Sequence, residues 1–149
     1  MPGYGFSAEG FGVGIRCAQQ PDTHVLLHRR SVCADGVGFA VEAVAPGLRL
    51  ELDAVEISSW DEQWLPDFFA GLASGDAGWS GVKEWRVGYL AVGATFHRGG
   101  HVALRWELRP WLSMADSWQG ALTTWVEAGE QMRRLAADLD DYLPRPGVG

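Results

Sequence analysis

The chain has 149 residues, 47% of them hydrophobic and 21% charged, a composition typical of one globular domain and not of a disordered segment. Its 19 acidic residues outnumber its 12 basic residues, and the resulting net charge of -7 disfavours binding to nucleic acid and favours a partner with a basic surface. The sequence shows no secretory signal and no apolar run long enough to span a membrane. We therefore expect one cytoplasmic domain over residues 1–149, with residues 1–12 as an edge or frayed segment.

The first part of the chain predicts short antiparallel strands. Residues 13–18 and 23–28 indicate two strands, and residues 39–44 alternate strictly, with Phe39, Val41 and Ala43 on one face. After a turn at Pro46 and Gly47, residues 48–53 alternate leucine with a charged side chain. This pattern predicts a hairpin with one buried face and one acidic face.

The period then changes to that of a helix. Apolar side chains after Trp60 fall on one helical stripe, and Pro66 is tolerated only in the first turn. Gly75 follows as a stop signal. The predicted helix begins at Trp64 and ends at Ala73.

Residues 90–109 predict a second hairpin, and its apolar rows decide its register. A two-residue turn at Gly99 and Gly100 would place the apolar rows of the two strands on opposite faces. A three-residue loop that begins at Arg98 instead pairs Phe96 with Val102 and keeps both rows on one face. We therefore predict the three-residue loop, with Gly100 at a positive φ.

A last amphipathic segment predicts a helix that begins at Ala128 and ends at Leu143, where Pro144 stops it. Together the segments predict an α+β fold. The expected architecture is one twisted antiparallel sheet of six to eight strands with the two helices packed on it.

Carboxylates cluster on the polar face of the first hairpin and continue toward the first helix. Glu42, Glu51 and Asp53 lie on the hairpin, and Asp61 precedes the helix. Acid–base catalysis by paired carboxylates requires one of them to be buried, whereas the alternation points these side chains to solvent. The cluster is therefore either a solvated face or an electrostatic docking surface.

All eight tryptophans lie between Trp60 and Trp125. Trp106 is expected in the core because it occupies a strand with apolar neighbours. Tryptophans at element ends or in loops either close the open ends of a core or form a binding surface, and we expect at least two of them to be partly exposed. Those tryptophans are Trp60, Trp64, Trp79, Trp85, Trp111 and Trp118.

The predicted register places His97 opposite His101, the one weak candidate for a metal site. A metal site needs a third ligand, and none lies nearby in the sequence. Two solvated histidines beside a turn are the favoured interpretation. We therefore expect no cofactor, and the absence of a catalytic motif favours a protein that is not an enzyme.

The order of several segments from Phe39 onward resembles a known family. These segments are strand 48–55, the Trp60-Asp61 pair, helix 64–72, the Trp79 turn, strand 102–108 ending in Arg109-Pro110-Trp111, and the stretch 126–143 before Pro144. The layout resembles a family of uncharacterised small actinobacterial proteins and, more distantly, WapI-type immunity proteins. This resemblance implies a cytoplasmic protein without catalytic residues that inactivates a toxin domain by binding it.

Two functions of different classes follow. The first is a non-enzymatic protein-binding domain, an immunity-like antagonist that binds and blocks a basic toxin domain. The alternative is a small-ligand-binding domain whose pocket is walled by tryptophans, and a metal enzyme using the two histidines ranks below both. The candidate binding residues are Glu42, Glu51, Asp53, Trp60, Asp61, Trp64, Trp79 and Trp111.

Overall fold

A computed structural model of the protein describes residues 12–33, 35–58, 63–110 and 117–145. This part of the chain forms eight β-strands and two α-helices. The strands are β1 (Gly12–Arg16), β2 (His24–Cys33), β3 (Gly36–Ala45), β4 (Leu48–Ser58), β5 (Val82–Arg86), β6 (Leu90–His97), β7 (His101–Leu108) and β8 (Gly120–Glu127). The helices are α1 (Leu65–Ser74), between β4 and β5, and α2 (Glu130–Tyr142), after β8.

The strands form two antiparallel four-stranded sheets, β1-β2-β3-β4 and β5-β6-β7-β8. The predicted α+β class is confirmed, but the prediction of one sheet is wrong. After β4 the chain passes through α1 and begins a new sheet with β5, a strand that the sequence did not predict. Of the five residues of β5 only Trp85 is buried, so the strand lacks the apolar alternation that identifies the others.

Two β-bulges bend the first sheet at the same level. On β2, Arg29 and Arg30 stand opposite Phe39, and Arg29 has a positive φ of 53°. On β4, Asp53 and Ala54 stand opposite Ala40. The extra residue in β4 shifts the alternation of buried and exposed side chains by one position. As a result, the side chains that are buried before the bulge and those that are buried after it face the same core.

The second hairpin has the predicted register. Phe96 pairs with Val102 and His97 with His101, which leaves Arg98, Gly99 and Gly100 as the loop. Gly100 has a φ of 82°, and Gly99 also has a positive φ, of 94°. The opposed apolar rows therefore determined the loop length.

One apolar core joins the inner faces of both sheets to the helices. Phe69 of α1 stacks on Trp106 of β7, with ring centroids 6.1 Å apart. Trp106 is fully buried, as predicted, and its Nε1 donates to Thr124 Oγ1 at 3.0 Å. The helices pack against each other and agree with their predicted positions to within two residues at each end.

The two sheets adjoin at β1 and β8. The N–H of Ala18, just after β1, donates to the carbonyl of Trp125 at 2.7 Å, and the N–H of Trp125 donates to Cys17 Sγ at 3.3 Å. Strand β4 is thus the terminal strand on the other side of the first sheet. No helix among the described residues is long and apolar enough to cross a membrane.

Candidate functional site

The acidic face of the first hairpin is organised around one arginine. Glu42 and Glu51 are register partners on β3 and β4, a placement that brings two like charges together. Arg49 forms ion pairs with both, and its Nε lies 2.8 Å from Glu51 Oε2. The hydrogen bond to Glu51 and then the charge of Glu42 raise the pKa of Arg49. Part of the predicted acidic face is therefore internally compensated.

Further along β4 the carboxylates are much less compensated. Asp53 lies in the bulge with its side chain 95% exposed, and its Oδ1 is 3.8 Å from Arg29 Nη2. A contact of that length between exposed groups contributes little. Glu56 is also exposed, and among the described residues it has no ion pair. The stretch from Asp53 to Glu56 therefore carries more negative charge than its one long ion pair compensates.

These carboxylates border an open groove of about 550 Å³ beside β4. The opposite wall contains Tyr89 from the turn between β5 and β6, together with Pro110 after β7 and Trp118 before β8. Tyr89 and Trp118 are each 40% exposed. We call this site the β4 groove, and its lining among the described residues is Glu51, Leu52, Asp53, Ala54, Glu56, Tyr89, Pro110 and Trp118.

Local backbone structure holds the aromatic wall in place. The carbonyl of Tyr89 accepts the N–H of Arg109 at 3.0 Å, and the carbonyl of Leu90 accepts the N–H of Val87 at 2.9 Å. Gly120, at the start of β8, lies directly against the side chain of Leu50 on β4, because a Cβ on this glycine would come within 2.7 Å of Leu50 Cδ1. The contact brings the segment that carries Trp118 close to the edge of β4.

Carboxylates and exposed aromatic rings together suit a cationic ligand group. A carboxylate accepts charge-assisted hydrogen bonds from lysine or arginine side chains. A cation over an exposed aromatic face adds about 0.5–1 kcal/mol. The β4 groove offers both within one lining, so its chemistry matches basic side chains.

The structure separates the tryptophans that the sequence grouped together. Trp64 is only 3% exposed and its Nε1 donates to the carbonyl of Leu143 at 3.3 Å, so it is a core residue and does not wall a pocket. Trp85 is equally buried and donates to the carbonyl of Gln63 at 2.9 Å. Three further predicted binding residues, Trp60, Asp61 and Trp111, lie outside the described residues.

Trp79 is half-buried and packs against the second sheet. Its ring contacts that of Phe96, with centroids 5.3 Å apart. Its Nε1 donates to the carbonyl of Ala94 at 3.2 Å, and Lys83 Nζ lies 4.7 Å from its ring. It is not part of the β4 groove lining. Trp118 is exposed and Trp79 is half-buried, so the expectation of at least two partly exposed tryptophans is confirmed.

Sequence reasoning placed Trp118 among the loop tryptophans but not among the binding residues, and it missed Tyr89. A signal for Trp118 was present, since Ser117 and Gln119 flank it with polar side chains. No comparable signal marks Tyr89, whose position in the groove depends on how the second sheet lies against β4.

The two histidines of the second hairpin face each other as predicted. His97 packs its ring against Trp125, with centroids 4.8 Å apart. In the part of the chain that the structure describes, no group of three His, Cys, Asp or Glu side chains is placed to hold a metal ion.

Comparison with curated proteins and with solved structures gives no match. A family model matches residues 16–146, which include all of β2 to β8 and both helices. The chain therefore belongs to a family of unknown function, DUF6228.

Proposed function

We propose that the protein is a non-enzymatic protein-binding domain whose β4 groove docks a basic partner. The observation that carries this proposal is the combination, in one open groove, of exposed carboxylates with two exposed aromatic rings. Exposed aromatics supply contact area at protein interfaces, and Trp and Tyr are enriched among the residues that dominate binding energy. The net charge of -7 adds long-range attraction to a basic surface.

The two parts of the groove have different roles in this proposal. The carboxylates of β4 are exposed and steer a basic partner, so they raise the association rate and make it sensitive to salt. Tyr89 and Trp118 become buried in the complex and slow its dissociation. The buried state of Trp64 argues against the alternative of a small-ligand pocket walled by that residue.

The resemblance to immunity proteins extends the proposal to a specific class of partner. A toxin domain that cleaves nucleic acid carries a basic groove for its phosphate substrate. An acidic protein that occupies that groove blocks the toxin without any chemistry of its own. In this extension the protein acts in the cytoplasm as an immunity-like antagonist of a basic toxin domain.

A charge-reversal pair with a matched control tests the β4 groove. The pair is Glu51→Lys with Asp53→Lys, and the control is Asp140→Lys with Asp141→Lys, which makes the same change in net charge on exposed positions of α2. The probe is a fluorescent seven-residue peptide of sequence KVRVKVR, and the readout is its anisotropy at about 0.1 M salt. We expect the groove pair to weaken binding about tenfold, because two attractive contacts become repulsive.

The control pair should bind the peptide within about twofold of the parent protein, because no residue of α2 lines the described part of the groove and the Debye length at this ionic strength is about 10 Å. Equal losses in both pairs would show that only net charge matters and would overturn the groove as the docking site. Thermal unfolding of each variant checks that it is folded.

For the toxin extension, co-expression with a neighbouring basic reading frame should restore growth with the parent protein and not with the groove pair.

A further inference from the structure

The β4 groove follows the edge of a strand. Four of its lining residues, Glu51 to Ala54, are consecutive in the chain. Asp53 and Ala54 form the bulge and both are exposed, as Glu51 is, whereas Leu52 is buried against the core. A cavity on one face of a strand would be lined by side chains of that face only. Because the lining includes the buried Leu52 together with its exposed neighbours, the groove runs along the edge of β4.

This edge has backbone groups available for pairing. Among the described residues β4 pairs only with β3, and over residues 48–57 no other described backbone group bonds to it. Pro46 and Gly47, with a φ of 80° at Gly47, form a two-residue turn between Ala45 and Leu48. The pair beside such a turn is hydrogen-bonded and the pairs then alternate, so the N–H and C=O groups of Arg49 and Glu51 point away from β3 into the edge.

The charge on the edge selects its occupant. An exposed edge strand is a template for pairing with another chain, and edges are often protected by charge. Here the charges beside the groove are Glu51, Asp53 and Glu56, with Arg49 paired to Glu51 and Arg29 near Asp53. A second copy of this chain would place the same carboxylates against them, and like charges directly opposite are destabilising. A strand that carries lysine or arginine is attracted instead.

We propose that the β4 groove receives an extended basic segment of the partner protein, which adds to β4 as a fifth strand of the first sheet. Its main chain pairs with the outward groups of β4, and its basic side chains reach the carboxylates and the rings of Tyr89 and Trp118. The bulge at Asp53 and Ala54 interrupts the ladder, so the paired stretch is short. This inference depends on the proposed function, because it specifies how the docking site is used.

Backbone methylation of the probe peptide tests strand addition. Two variants of the KVRVKVR peptide are compared, one N-methylated at every valine and one N-methylated at every lysine and arginine. In a strand added to β4, alternate N–H groups point toward β4 and the others point to solvent. We expect one variant to lose binding at least tenfold while the other binds within about threefold of the unmethylated peptide.

Equal binding of the two methylated peptides would overturn strand addition, even if the groove pair still weakened the unmethylated peptide and so supported the proposed function. Failure of the proposed function is distinguishable, because the unmethylated peptide would then bind the groove pair and the control pair alike. Amide hydrogen exchange provides a second readout on the protein. We expect a saturating concentration of the peptide to slow exchange at Arg49 and Glu51, and unchanged exchange at both would also overturn strand addition.

Discussion

The hydroxyl of Tyr142 connects the end of α2 to the bulge of β2, and its removal is a direct test of that connection. Tyr142 is only 3% exposed, and its hydroxyl accepts the backbone N–H of Arg30 at 3.1 Å. The Arg30 guanidinium donates to the Tyr142 carbonyl at 2.8 Å and lies 5.0 Å from the ring centroid. Tyr142→Phe removes the hydroxyl alone and leaves the ring and the guanidinium contacts in place.

The expected loss of stability is about 1–2 kcal/mol. A neutral hydrogen bond contributes about 0.5–1.5 kcal/mol, and a donor left without a partner in a partly buried place adds to that cost. For a chain of this length, each kcal/mol corresponds to about 2–4 °C in the melting temperature. We therefore expect Tyr142→Phe to unfold about 2–8 °C below the parent protein, as measured by calorimetry or circular dichroism.

Tyr89→Phe is the matched control, because it removes the same hydroxyl from a ring that is 40% exposed. We expect its stability to stay within about 0.5 kcal/mol of the parent. Burial, the largest cause, raises the pKa of Tyr142, so the folded protein keeps this proton at a pH where the unfolded chain loses it. Stability should fall as pH rises above about 10, and less in Tyr142→Phe. An equal melting temperature for the parent and Tyr142→Phe would refute the proposed connection.

Two further predictions concern pH and backbone conformation. Burial, the largest cause, lowers the pKa of His24, against the opposing effect of Glu42, so the unfolded chain takes up this proton at a higher pH than the folded protein. Stability in urea should therefore decrease as pH falls through about 6.5, and an equal decrease in His24→Gln would show that another group is responsible. Gly100→Ala should destabilise the protein by about 1–2 kcal/mol, because Gly100 has a φ of 82°. Gly71→Ala in α1, where a Cβ meets no atom within 4 Å, should instead stabilise it by about 0.5–1 kcal/mol, and the same sign for both would contradict the conformational explanation.

The sequence was most informative where two apolar rows had to share one face. The hairpin of β6 and β7 has only one register that buries both rows, so the loop of Arg98 to Gly100 followed from local pattern alone. The apolar stripe of the predicted first helix also indicated where Trp64 lies. Trp64 and Phe68 are four residues apart on that stripe, and both are buried, so periodicity favoured a core position for Trp64 over a binding role.

Other features depend on contacts between distant segments. The division into two sheets is set by how β1 and β8 adjoin and by where α1 leads the chain, and strand spacing carries no information about either. The bulge in β4 is visible in the spacing of apolar residues. The buried position that follows Leu52 is Val55, whereas strict alternation would place it at residue 54. Tyr89 could not be assigned from sequence, since only the packing of the second sheet brings it to β4.

The correction from one sheet to two also explains why a groove lies beside β4. In a continuous sheet, the strand after β4 would pair with its outer edge and cover Arg49 and Glu51. Instead α1 follows β4, and the next strand begins another sheet. The end of β7 and the start of β8 come near this edge through Gly120 and Leu50, and they bring Pro110 and Trp118 with them. The same chain connection therefore leaves the strand edge unpaired by any described strand and supplies the aromatic wall beside it, which is the arrangement that a fifth, basic strand requires.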